Sequence, residues 1–263
     1  MDFGLAGKTA LVAAGSQGLG FGCAQTLAAE GCHVAICGRT QDKLDAAVES
    51  LRRDAGGKVA GFAVDVTDRD AVTAMVGRIE KQLGAVDVLV TNAGGPPVGP
   101  AMQMTLDQLD RAIDLNCHSA IHLINLCVPG MLERRFGRIV AITSISVRQP
   151  MANMVLSNAS RAALTAYLKT LSVEVAPQGV TVNSVQPGFH ETARIRSFLP
   201  PDQRDDPQAL QAFLDKKAAT IPTHAVGRPD DFGAAVAFLC SQQARFITGV
   251  NLPIDGGAFP GLL

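Results

Sequence analysis

Short apolar runs that alternate with longer amphipathic stretches constrain this chain more than any other feature. The runs fall at residues 9–13, 33–37, 59–64, 86–91, 138–143, 180–185 and 250–254. A run that is apolar on both faces and too short for a helix reads as a strand covered on both sides. Between the runs lie segments with apolar residues at helical spacing, among them 20–31, 105–127, 152–176 and 230–240. Alternating strand and helix units predict an α/β fold in which a seven-stranded parallel sheet is flanked by helices through right-handed crossovers. With 263 residues, 47% of them hydrophobic, the chain is long enough to bury such a sheet in one doubly wound domain over residues 1–263.

The first run ends in Ala14-Gly15-Ser16-Gln17-Gly18-Leu19-Gly20, and a helix follows. Strand, small-residue turn and helix is the context a phosphate cradle requires, because the backbone can approach a pyrophosphate whose charge meets amide N–H groups and the helix dipole. Against this stands an ordinary strand-to-helix connection. The second run ends at Gly38-Arg39-Thr40. An acidic residue at that place would accept from a free ribose 2′-hydroxyl, whereas an arginine favours a 2′-phosphate, so Arg39 points to NADP(H) unless it is simply solvated. Asp65 closes the third run in a place to meet the adenine, and Thr67, Asp68, Arg69 and Asp70 carry a helix-opening signature.

Asn92, Ala93, Gly94 and Gly95 follow the fourth run, where small residues let a ligand lie against backbone at the carboxyl edge of a parallel sheet. Thr105 and Gln108 fit a capping box opening the long helix 105–127, and Asn116 sits inside that helix despite poor propensity. Residues 189–226 break the alternation with four prolines and many charges, and read as a helical lid over the pocket.

Charge excludes several functions. A net charge of -1 and the lack of a basic block argue against nucleic acid. Six cysteines without Cys-x-x-Cys spacing read as buried free thiols, with neither metal site nor disulfide, which suits a reducing compartment. No apolar run reaches membrane-spanning length and no leader pattern opens the chain, so the expected location is the cytoplasm.

Together these motifs resemble the short-chain dehydrogenase/reductase family, and the 3-oxoacyl-[acyl-carrier-protein] reductases within it most of all, over essentially the whole chain. The resemblance rests on the turn with Gly15, Ser16, Gln17, Gly18, Leu19 and Gly20, on Arg39, and on Asp65 with Val66. It continues through Asn92, Ala93 and Gly94, then Asn116, Ser144, Asn183, and Pro187 and Gly188 with Thr192. Ile247, Thr248 and Gly249, followed by Asp255, Gly256 and Gly257, complete it. It implies a Rossmann domain that binds NADP(H) and acts on a small carbonyl or alcohol. By resemblance Asn92, Ala93 and Gly94 support the cofactor, Asn116 holds a water in a proton relay, Thr192 binds the nicotinamide carboxamide and Ser144 belongs to the catalytic set. The resemblance also implies a homotetramer or dimer, built on the helices around 105–127 and 152–176 and the C-terminal strands. An apolar tail, residues 259–263, would be covered there.

Two departures from the family pattern bear on chemistry. Its first turn glycine is Ala14 here, so the turn must either avoid a positive φ or bear strain. Its Tyr-x-x-x-Lys pair, aligned from Ser144, falls on Ser157 and Arg161, while Tyr167, the one tyrosine in the chain, comes too late and is expected to pack into the core. A tyrosine of pKa about 10 can be tuned to protonate a carbonyl oxygen, but a serine hydroxyl is a far weaker acid on a shorter side chain. Arg161 keeps a permanent charge, able to hold the nicotinamide ribose or a developing alkoxide. Three uses follow from these residues. Ser144, Ser157 and Arg161 can act on a carbonyl with water or His190 as proton source; Arg161 can grip an anionic substrate; or catalysis is lost and the domain is a cofactor-binding or scaffold protein.

Overall fold

The computed structural model describes residues 2–262. Seven parallel strands form one sheet in the order β3-β2-β1-β4-β5-β6-β7. They are β1 (Thr9–Val12), β2 (His33–Gly38), β3 (Val59–Ala63), β4 (Val86–Thr91), β5 (Gly137–Ile142), β6 (Val180–Pro187) and β7 (Asn251–Ile254). Every residue of β1 and β5 is buried, as a strand covered on both faces requires. Strand order reverses between β1 and β4, which opens a crevice at the carboxyl ends of these strands.

Among the described residues six α-helices cover the sheet in two layers. Helices α1 (Gly18–Ala29), α2 (Gln41–Asp54) and α8 (Pro229–Cys240) bury Leu27, Leu44 and Phe232 with Ala10 and Val12 of β1 on one face. On the other face, α3 (Arg69–Leu83), α5 (Ser119–Arg134) and α6 (Val155–Val175) bury Ile79, Leu123 and Leu164 with Leu11. Successive side chains of one strand thus feed opposite cores. Asp68 caps α3 by accepting from Ala71 N, and Thr105 and Gln108 form the expected capping box at α4 (Leu106–Ile113).

The single helix expected over 105–127 is not continuous. A π turn, Asp114–His118, separates α4 from α5, and α5 runs on to Arg134. Asn116 lies in that turn and donates from Nδ2 to the Ala112 carbonyl at 3.2 Å, a local bond that competes with regular helix. Segment 189–226 holds two 3-10 turns, Ala193–Phe198 and Pro201–Gln203, and then α7 (Pro207–Ala218). All six cysteines are free and buried; burial pushes the Cys37 thiol up to about 11 and the Cys32 thiol up to about 12. Among the described residues no helix is long and apolar enough to cross a membrane.

Within the tail only Phe259 finds cover in its own chain among the described residues. Phe259 is half-buried, its N–H donates to Asp255 Oδ2 at 2.8 Å, and the Arg148 guanidinium lies 5.5 Å from its ring centre. Leu262 is fully exposed, and Leu263 lies outside the described residues.

Candidate active site

A cavity of about 1090 Å³ occupies the crevice at the carboxyl ends of the strands. On its β1 side the chain leaves the sheet through Ala13, which still donates to the Val90 carbonyl, and then turns sharply. Ala14 has φ 47° and Gly18 φ 60°. Glycine adopts that left-handed backbone freely, whereas alanine bears a cost of about 1–2 kcal/mol. Of the two expectations for this turn, the structure shows the strained one. A side chain at Gly20 would run into the Ala14 carbonyl and the Asn92 amide, so Gly20 lets α1 close onto the turn, and Asn92 Nδ2 lies 3.5 Å from the Ala14 oxygen it faces. Gly15 continues the turn through its N–H, which donates to the Cys37 carbonyl at 3.0 Å.

Gln17, at the N-terminal boundary of α1, makes no side-chain cap, so the opening turn of the helix has no side-chain acceptor. Ser16, Gln17, Gly18 and Leu19 all border the cavity. An uncapped helix N-terminus beside open space suits a pyrophosphate. Beyond β2, exposed Arg39 and Lys43 line the cavity, and Lys43 Nζ lies 3.4 Å from Gln17 Oε1. Asp65 and Val66 line it beyond β3; the Thr67 N–H holds the Asp65 carboxyl below its ordinary range, with the Thr67 hydroxyl and Arg39 acting the same way. Ala93 and Gly94 complete this wall, and a Cβ at Gly94 would stand in open space, leaving its backbone accessible to a ligand.

On the β5 and β6 side, Ser144 caps the 3-10 turn Ile145–Val147 by accepting from Ser146 N at 3.1 Å. Ser157 and Arg161 stand four residues apart on α6, on one helical face, and both border the cavity. Arg161 is 8% exposed and donates from Nη1 to the Ile142 carbonyl at 2.8 Å. Burial lowers its pKa to about 10, with nearby Arg194 adding to the shift. It therefore stays charged at neutral pH. Pro187, Gly188 and Thr192 line the same end, and a Cβ at Gly18 would stand 3.4 Å from Thr192 Cγ2.

Asn116, Tyr167 and His190, also singled out from the sequence, stand at the margin of the cavity or away from it. Asn116 stands behind the cavity wall, buried, while Ala112 and Leu115 beside it form the wall. Its Nδ2 is bonded to Ala112, and its Oδ1 is buried without a partner. Tyr167 packs against the core as expected, half-buried on the α5 side of α6, with its hydroxyl donating to Asn125 Oδ1 at 3.3 Å. His190 touches the cavity, but its ring meets Phe232 edge-on at 5.3 Å and fills the space beside Gly227. Burial lowers its pKa, opposed by the Gly188 carbonyl, Asp231 and Asp255.

A family model described as Enoyl-(Acyl carrier protein) reductase matches residues 13–258. The Homo sapiens protein named dehydrogenase/reductase SDR family member 4 is 32% identical over 254 residues, 96% of this chain and 88% of that protein. The chain belongs to the short-chain dehydrogenase/reductase family. Its similarity to 2,3-dihydro-2,3-dihydroxybenzoate dehydrogenase of Bacillus subtilis (strain 168) is 32% over 259 residues, covering 98% of each. The structure of L-sorbose reductase from Gluconobacter frateurii, complexed with NADPH and L-sorbose, superposes with a TM-score of 0.94 at 30% identity and full coverage of both chains. As a short-chain dehydrogenase/reductase, the protein is an oxidoreductase of small molecules.

Three cavity cations of this family member, Lys43, Arg111 and Arg194, were not singled out from the sequence. Lys43 carried a signal, since it lies four residues beyond Arg39 in the first turn of α2. Arg194 carried none; it sits in a segment whose charges follow no period, and only the fold brings it to the loop after β4, where Nη2 donates to the Pro96 carbonyl at 2.8 Å.

Proposed function

We propose that the protein reduces a carbonyl compound with NADPH, or oxidises the matching alcohol with NADP⁺, using Ser144, Ser157 and Arg161 where the family pattern has a serine, a tyrosine and a lysine. The carrying observation is the Arg161 guanidinium, buried at the cavity wall one helical turn from Ser157 and held by the Ile142 carbonyl. A positive charge fixed in a water-poor site favours an oxygen on which negative charge develops. NADPH, when bound, supplies the hydride that forms the new C–H bond as the carbonyl π pair moves to oxygen. Ser144 and Ser157 then hydrogen-bond that oxygen, and solvent supplies its proton. His190 is left as a structural wedge.

Arg39 and Lys43 support NADP(H) over NAD(H), because beyond β2 two cations and no acid line the cavity. Thr192, Pro187 and Gly188 hold the nicotinamide end, and Gly15, Ser16, Gln17, Gly18, Leu19 and Gly20 the pyrophosphate. Asn116 acts on the site through the wall residues Ala112 and Leu115. The segment 189–226 serves as the lid, anchored through Arg194. Resemblance makes a 3-oxoacyl thioester the first carbonyl to try.

Alanine substitutions of Arg161 and Ser157 test the assignment. Loss of one preorganised donor to a developing oxyanion costs about 10²-fold in kcat. Arg161→Ala is expected to lose that much while its NADPH affinity changes far less. Variants that turn over like the parent would remove Arg161 and Ser157 from the chemistry.

A further inference from the structure

The cavity is bordered by five basic side chains, Arg39, Lys43, Arg111, Arg161 and Arg194, against one acid, Asp65, which lies far along the sheet beyond β3. Neither Arg161 nor Arg194 forms an ion pair among the described residues. They come from different elements, α6 and the turn Ala193–Phe198, and border the same cavity.

Arg138 shows how this fold satisfies a buried arginine that has only a structural task. Its guanidinium donates to three carbonyls, those of Ser241, Gly137 and Gly179, at 2.8 to 3.2 Å. Arg161, equally buried, donates to one. A guanidinium carries five N–H donors, so about four of them lack a protein acceptor at Arg161. Arg194, half-buried, spends two donors on the Gly95 and Pro96 carbonyls and has the rest free. Two cations bordering one cavity, one of them buried, with unspent planar donors and no counter-charge, make a site unfavourable when empty and matched to a carboxylate.

We propose that Arg161 and Arg194 jointly receive a carboxylate of the substrate, so that the substrate class is oxo acids and their hydroxy-acid counterparts. This rests on the carbonyl-reductase reading above. The oxo acid takes a hydride from NADPH at its carbonyl carbon and a proton from solvent at oxygen, giving hydroxy acid and NADP⁺, while its carboxylate is unchanged. Arg194 is a specificity residue here, and Arg161 serves both the carboxylate and the neighbouring oxygen.

Short 2-oxo and 3-oxo acids compared with their methyl esters, acetoacetate against methyl acetoacetate among them, provide the test. The acid is expected to exceed the ester at least tenfold in kcat/KM. Arg194→Ala should erase that preference by raising KM for the acid and Arg194→Lys should restore part of it, while KM for the ester in the same variants reads any loosening of the lid that Arg194 anchors. Equal rates for acid and ester, or a preference that survives Arg194→Ala, overturns the carboxylate site and leaves the reductase reading standing. Should no carbonyl turn over, the enzyme–NADPH complex is titrated with butyrate and butyramide by nicotinamide fluorescence. Butyrate binding that Arg194→Ala weakens supports the site, and indifference to butyrate overturns it.

Discussion

Arg161 carries a planar guanidinium that is hard to deprotonate, which keeps a charge where the side chain is almost wholly buried. A lysine in that environment would lose its proton far more readily. His190 illustrates the opposite outcome. Its folded pKa lies below the ordinary 6.5, so the unfolded chain binds the proton more tightly. Stability therefore falls as pH drops through the ordinary value toward the folded one, and is unaffected by this group above it. The melting temperature is expected to decline between about pH 7 and pH 5, and His190→Gln should flatten that part of the profile when both are followed by circular dichroism. An unchanged slope in the variant would show that another group governs it. Asp65 adds its own loss only at more acidic pH, since its carboxyl is held below 3.8.

Among the elements, the phosphate turn shows most clearly what a sequence can and cannot disclose. The replacement of glycine by Ala14 is legible, and so is the choice it forces; only the backbone, with φ 47°, shows that the strain is borne. Ala14→Gly should relieve about 1–2 kcal/mol of left-handed strain against about 0.4–1 kcal/mol of added unfolded-chain entropy. A net gain in melting temperature of about 2 °C is expected for a chain of this size; a loss would show that the turn is unstrained. Strands were readable because residues buried on both faces leave continuous apolar runs, and all seven runs became strands with ends displaced by a few residues. The π turn at Asp114–His118 was not readable, since one inserted residue hardly alters a 3.6-residue period over 105–127. Ser144, Ser157 and Arg161 could be placed by spacing from the strand end and along one helix. Arg194 could not, because its position depends on a segment of 3-10 turns with no hydrophobic period.

For the whole molecule, the sheet places every cavity residue at the carboxyl ends of its strands, and the reversal of strand order creates the room. Exposed apolar side chains remain elsewhere. Leu106 on α4 is 77% exposed and Val173 on α6 is 69% exposed, on the helices that the family resemblance assigns to subunit contacts. We infer a homotetramer through those faces, so light scattering at micromolar concentration should return four times the chain mass; a monomer would contradict it. The role in hydride chemistry is checked most directly by titrating the purified protein with NADPH and NADH, following nicotinamide fluorescence, and then adding an oxo acid or a 3-oxoacyl thioester while absorbance at the nicotinamide band is watched. Tighter binding of NADPH than NADH, followed by loss of that absorbance, is the expected result. Absence of binding by either nucleotide would contradict an NADP(H)-dependent reductase built on Arg39, Ser144, Ser157 and Arg161.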